Sequence, residues 1–484
     1  MELTNQSACA LASSLQSGDL SASELMAATY DRVEIWNPHV NAIISLLDRE
    51  EALELAQVAD KSPSRGPLHG IPLAIKDLAN AEKFVTSEGS PLFADSQPAL
   101  RDDLIVARMR QAGALIIGKT NTPEFGLGSH TVNPVHGATR NPWDLSRSAG
   151  GSSGGAAVAL ATGMLALADG SDMMGSLRNP AGWSGTYGLR PTWGAVPSEA
   201  TGDTFLSQLS TRGPLARNPD DLELLLSVIA GPDSRQPHGI ELPLATNTGS
   251  LRIAWLADWD GSYPMEAGIL DCCEKALEVF SSLGHSVEPH TPEFSTDALW
   301  TSWTTLRSWQ IAAELIQFDQ DKGQRDKLGV SAKWELDRGK ALSAMEVHDA
   351  SVIRSTWFSL AAQLFERFDV LALPTAQCWP FDVNLDWPRE IAGHSMDTYH
   401  RWMEVVIPAS LIGLPALAVP AGFSVNGLPI GLQLIGPRKS DYDLIELARR
   451  FHKRAPWAGM QPTTDSIVAK TKGKNSELRF KNDR

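Results

Sequence analysis

The stretch "DDLIVARMRQAGALIIGKT", Asp102 to Thr120, decides the fold class. It reads as a helix followed, after Gly113, by a short strand built on Ala-Leu-Ile-Ile. Upstream, "AIISLL" reads as a buried strand, "DREEALELAQVADK" as a helix and "GIPLAIKDL" as a further strand after a Gly/Pro turn. Downstream, "AAVALATGMLALADG" repeats the alternation, and "LRIAWLADWD" with "MEAGILDCCEKALEVFSSLGHSVEPH" gives another strand, helix and strand. Strands that alternate with helices predict an α/β protein whose sheet is covered by helices. Nearer the amino terminus, "SASELMAATYDRVEIWNP" opens with Ser21 and Glu24 in capping-box spacing and is expected to be a surface helix that stops before Pro38. From about Asp297 to Phe368 the sequence turns helical and Trp-rich, and it closes on the apolar pieces "FDVLALPTA" and "GLPALAVPAGF…GLPIGLQLIG".

At 484 residues the chain can bury a substantial core. We expect one domain over residues 1–465, with a more variable helical region at about 297–386 and a basic, mobile tail at 466–484. A formal charge of −15 repels a phosphate backbone on average, which disfavours nucleic acid as a partner. Cys9, Cys272, Cys273 and Cys378 fit neither a zinc cluster nor a disulfide framework, and the amino terminus carries no basic-then-apolar signal. A reduced, cytoplasmic protein is expected. The most apolar run is too short to span a bilayer and is broken by Thr162 and Gly163, so no membrane anchor is expected.

Two motifs mislead. "GALIIGKT", Gly113 to Thr120, matches the phosphate-loop pattern, but that loop needs free backbone between its glycines where this chain has a strand. "GSSGG", Gly151 to Gly155, fits G-x-S-x-G and would make Ser153 the nucleophile of an α/β-hydrolase-type esterase. The preceding "NPWDLSRSAG" is polar and turn-rich, with no strand to lead into such an elbow, so this stays an alternative.

The chemistry gathers in "GGSSGGAAVALATG" and "GSDMMGSLRNPAG". Glycines flanking a serine let backbone N–H groups converge on one point, which an oxyanion hole requires, although either run alone reads more readily as a plain loop. Lys76 in "GIPLAIKDL" changes that balance. In a strand it shares a face with Ala74 and Pro72, opposite Ile71, Leu73 and Ile75. Such a lysine usually reaches solvent. If enclosed, its charged form is disfavoured, its pKa falls, and it becomes a base able to activate a hydroxyl.

With "ALIIGKTNTPEFG", "GATRNPWDLSRSAGGSSGGAAVALATG", "DGSDMMGSLRNPAG", "GLRPTWGAVP" and the late "GLPALAVPAGF…GLPIGLQLIGP", the sequence resembles the amidase signature enzymes through most of its length. The resemblance implies their fold, a large mixed β-sheet core covered by helices on both sides. It implies Lys76 as catalytic lysine, Ser152 as the bridging serine after a cis peptide bond, and Ser176 as nucleophile. Ser171 and Ser184 then read as structural, in the turn before the loop and in the chain leaving it, and Ser153 as a neighbour. The implied oxyanion hole and substrate contacts are Met173, Met174, Gly175, Gly126 and Ser129. The implied reaction is hydrolysis of a small-molecule amide through an acyl-enzyme, with neither metal nor cofactor. The family commonly reads Asp-x-Gly-Gly-Ser before the nucleophile, whereas this chain reads Asp172-Met173-Met174-Gly175-Ser176. A methionine in place of glycine there bears on the loop's backbone angles and on the acyl pocket. Arg178 is expected to be an ion-pair partner of Asp172 rather than a substrate clamp. The alternative within the family is the A-type subunit of a tRNA-dependent amidotransferase, against which the Met-Met pair and the acidic charge stand. An intact Lys76, Ser152 and Ser176 argues against a non-catalytic binding relative, and a homodimer is left open.

Overall fold

The computed structural model describes residues 3–246 and 249–464, so the expected tail at 466–484 lies outside the described residues. The deciding stretch folds as read, a helix Leu104–Gln111 followed by a strand Leu115–Thr120. That strand is central in a three-stranded sheet, parallel to Pro72–Lys76 and antiparallel to Ile43–Ile44. The larger sheet has eight strands in the order Ser286–Pro289, Arg252–Trp255, Val370–Pro374, Pro429–Ile435, Ala416–Phe423, Tyr187–Arg190, Thr211–Ala216 and Leu167–Asp172. Its first three strands run parallel and the remaining pairings are antiparallel, so the sheet is mixed and the fold is α/β.

Why Pro429–Ile435 occupies the middle follows from its sequence. Every residue of the strand is buried, so both faces are covered, and it reads as a continuous apolar run interrupted by Gln433 rather than as an alternation. The two sheets meet where the backbone N–H of Lys76, the last residue of its strand, donates to Asp169 Oδ1 at 3.0 Å. Asp169 belongs to the edge strand Leu167–Asp172. The helix Gly154–Ala161, buried along its whole length, precedes that strand, which explains its composition of Gly, Ala, Val and Leu with no polar face.

Local readings fail at three points. The capping box at Ser21 and Glu24 forms, but the helix runs Ala22–Val40 and carries Pro38 inside. Pro38 falls in the last turn, where a missing N–H removes one bond and Asn41 at φ 51 closes the helix by donating to Asn37 O. "AIISLL" contributes only Ile43–Ile44 to the sheet, because Ser45 turns to φ 48 and breaks the extended chain. Ser171 lies in the strand Leu167–Asp172, not in a turn. Ser184 ends the helix Arg178–Ser184. Among the described residues no helix is long and apolar enough to cross a membrane.

Candidate active site

The phosphate-loop match dissolves in this fold. Lys119 is a buried strand residue that donates to Ala79 O at 2.7 Å and pairs with Asp77 at 3.2 Å. The G-x-S-x-G match fails for the reason its flank suggested. Ser153 caps the helix Gly154–Ala161 after a loop rather than a strand, is fully buried, and is absent from the lining of the cavity described below. The α/β-hydrolase reading with Ser153 as nucleophile is therefore corrected.

Lys76 ends its strand with 0% exposure. Its Nζ donates to Ser152 Oγ at 2.7 Å, Ser153 Oγ at 2.9 Å and Ser171 Oγ at 3.0 Å. Among the described residues no carboxylate lies within ion-pair distance of it. Burial lowers its pKa to about 7, Asp169 and Asp172 oppose the shift, and Arg212 adds to it. Three hydroxyl partners suit both protonation states. The ammonium donates to all three, whereas the neutral amine can donate to two and accept from the third. The peptide bond between Gly151 and Ser152 is cis.

Ser152, Ser171 and Ser176 line one cavity of about 230 Å³, together with Met173, Met174 and Gly126. Ser176 is 6% exposed and, among the described residues, its hydroxyl has no hydrogen-bond partner, while its backbone carbonyl accepts from Ser153 N–H at 3.2 Å. Gly126 lets the wall approach: a Cβ there would lie 2.8 Å from Leu78 Cδ1 and 3.4 Å from Ser152 Oγ, and its φ is +69. Ser129 does not line this cavity; it lines a neighbouring cleft of about 580 Å³ beyond Leu127 and Gly128.

Asp172 shapes the loop that carries Ser176. Its carboxylate accepts from Gly175 N–H at 2.9 Å and Leu177 N–H at 3.2 Å. It takes two bonds from Arg178, each at 3.0 Å, and pairs with Arg190 at 3.3 Å. Burial pushes this carboxyl up, but the two guanidinium groups outweigh it and hold it well below the usual carboxylate range. Arg178 is thus an ion-pair partner, as the sequence suggested. Gly175 N–H is committed to Asp172, and among the described residues the N–H groups of Met173, Met174 and Ser176 carry no hydrogen bond. Removing one member of a buried pair typically costs 3–5 kcal/mol. Asp172→Ala is expected to lose about that much stability, measured by denaturant unfolding; a loss below about 1 kcal/mol would show that the pair does not hold the loop.

The two methionines are anchored through sulfur. Met174, 3% exposed, accepts from Trp303 Nε1 at 3.2 Å, and Met173 accepts from Arg307 Nη1 at 3.0 Å. Gly175, not Met174, takes the positive φ (+78), so a side chain at position 174 brings no left-handed strain. The Trp-rich helix Thr296–Leu315 therefore supplies part of the cavity wall through Arg307, Gln310, Ile311 and Glu314, while its Trp303 holds Met174 without lining the cavity itself. Sequence reading missed Ser171, although strand alternation places it on one face with Asp169, beside Lys76. It also missed Arg212, for which no local signal exists. Among the described residues no group of three His, Cys, Asp or Glu side chains is placed to hold a metal ion.

The comparisons with known proteins identify the class to which this mixed-sheet α/β fold belongs, the amidase signature enzymes. The chain belongs to this family: it matches the Amidase family over residues 24–445. It is 33% identical to an acylamidase of Rhodococcus erythropolis over 96% of this chain and 98% of that one. It is also 33% identical to the A-type subunit of the glutamyl-tRNA(Gln) amidotransferase of Natranaerobius thermophilus, over 92% of this chain and 96% of that one. The solved structure of a bacterial aryl acylamidase of the amidase signature family superimposes with a TM-score of 0.87 at 29% identity, covering 93% of this chain and 96% of that one.

Proposed function

We propose that this enzyme hydrolyses the C–N bond of a small carboxylic amide through an acyl-enzyme on Ser176, with Ser152 and Lys76 as the proton relay. The observation that carries the reading is the fully buried Lys76, 2.7 Å from Ser152 Oγ, beneath the cavity that Ser152 and Ser176 both line. Neutral Lys76 accepts the Ser152 proton while Ser152 accepts that of Ser176, whose oxygen attacks the amide carbonyl. The N–H groups of Met173, Met174 and Ser176, which carry no hydrogen bond among the described residues, are the donors left to stabilise the negative charge that develops on the carbonyl oxygen. Collapse breaks the C–N bond, and the relay returns the proton to the leaving amine. Water, giving its proton to the same relay, then releases the acid and restores Ser176.

The cavity of about 230 Å³ adjoins a second of about 520 Å³ through Glu88, Phe125, Gln310, Ile311 and Glu314, so the size of the acyl group is left to the substrate panel. The four free cysteines support a reduced, cytoplasmic setting. The likeness to an amidotransferase component supports a second reading, a glutaminase part of a tRNA-dependent complex. The charge of −15 and Met174 in the loop favour the stand-alone hydrolase. Ammonia release from a panel of short acyl, aryl and amino acid amides tests the proposal. A protein that releases ammonia from glutamine alone would transfer it to the second reading.

Met174 both lines the cavity and packs on Trp303, so Met174→Gly is expected to act on substrate range and stability together. The ratio of kcat/KM for a bulky over a small amide should rise about tenfold. The thermal midpoint should fall, since removing a buried methionine side chain costs about 2–5 kcal/mol. A lowered midpoint with an unchanged ratio would make Met174 packing alone.

A further inference from the structure

We propose that Arg212 seats an anionic group of the substrate, so that the favoured amides carry a carboxylate a few bonds from the scissile carbonyl. This rests on the amide-hydrolase reading above. Arg212 lies on the strand Thr211–Ala216, directly across the ladder from Ser171, which itself accepts from Lys76. Its side chain lines the same cavity as Ser152 and Ser176. Nη2 donates to Leu78 O at 3.0 Å, fixing the guanidinium against the wall. Nη1 is buried with no acceptor, and among the described residues no carboxylate lies within ion-pair distance of this arginine. Buried donors left unmatched by the protein are rare, and a cationic one at a substrate cavity points to an acceptor on the ligand.

The other arginines nearby are already engaged. Arg307, which also lines the cavity, bonds Glu335 at 2.8 Å, the Tyr399 hydroxyl at 2.8 Å and Met173 sulfur at 3.0 Å. Arg178 is held by Asp172, Gln433 and Ser410 and does not reach the cavity. Two carboxylates, Glu88 and Glu314, line the cavity as well. Burial pushes both upward, Glu88 to about 7, which weakens their repulsion of an incoming anion.

The test compares succinamate with butyramide, which replaces the carboxylate by a methyl group, on the wild type, Arg212→Gln and Arg212→Lys. Assays are run at about pH 9, because losing the Arg212 charge lets the Lys76 pKa rise and the comparison must stay above that limb. The wild type is expected to prefer succinamate. Arg212→Gln should lower the succinamate-to-butyramide ratio of kcat/KM about ten- to a hundredfold, with Arg212→Lys in between. An unchanged ratio overturns the assignment of Arg212 while leaving the hydrolase intact. Titration calorimetry of succinamate into Ser176→Ala, with and without Arg212→Gln, reads binding without turnover. Binding that requires Arg212 in a protein that releases ammonia from no amide of the panel would sink the hydrolase reading and keep the anion seat. No binding, or binding indifferent to Arg212, sinks the seat.

Discussion

Ser176→Ala is expected to abolish amide turnover, by about 10⁴-fold or more in kcat/KM, with the thermal midpoint close to wild type. Among the described residues the Ser176 hydroxyl carries no hydrogen bond, while the neighbouring Ser152, Ser153 and Ser171 are engaged by Lys76. Its removal deletes no hydrogen bond among the described residues, so stability should hold. The loss is large because the acyl-enzyme of the proposed mechanism forms on this hydroxyl. The check is kcat/KM on the amide that the panel selects, with a fluorophosphonate as covalent probe. Mass spectrometry should place the label on Ser176 in the wild type and find none on Ser176→Ala. Labelling of Ser152 or Ser153, or turnover within tenfold of wild type, would overturn the assignment of the nucleophile.

Much of this site was legible because it is local. Lys76 ends a strand whose period-2 pattern places it, and the Gly-Ser runs announce loops whose backbone approaches a ligand. The signature segments then select the family. The architecture was legible for a similar reason, since each strand and helix carries its own pattern. What the sequence withheld depends on residues far apart in the chain. The extension of the first long helix through Pro38 depends on its last turn, not on the proline's propensity. Ser171 reads as a loop serine until the ladder with Thr211–Ala216 makes it a strand residue facing Lys76. Arg212 has no motif at all, and its unmatched Nη1 exists only once Leu78 has taken Nη2. The methionine pair was visible as a departure, but not its consequence. Which residue takes the positive φ, and that Trp303 and Arg307 hold the two sulfurs, are tertiary facts some 130 residues away.

Lys76→Ala is expected to cost about 10²–10⁴-fold in kcat/KM, the range for a positioned general base. The wild-type profile gives the mechanism its sign. Burial first, then Arg212, lowers the lysine, while Asp169 and Asp172 raise it, and the balance is about 7. The other groups facing Nζ, Ser152, Ser153 and Ser171, are neutral hydroxyls. The neutral amine is the active form, so kcat/KM should be low when Lys76 is protonated, rise through about pH 7 and level off above it. In Lys76→Ala that limb should vanish, leaving a residual rate that follows hydroxide. Asp169→Asn provides the control for its cause. Removing the carboxylate beside Lys76 N–H takes away an interaction that favours the ammonium, so the limb should move to lower pH with the plateau retained within several-fold. Were the limb to persist in Lys76→Ala, it would belong to another group, with Glu88 the first to examine, because burial places its carboxyl at about 7 on the same cavity. Glu88→Gln separates the two, since it should leave a limb owned by Lys76 in place and erase one owned by Glu88.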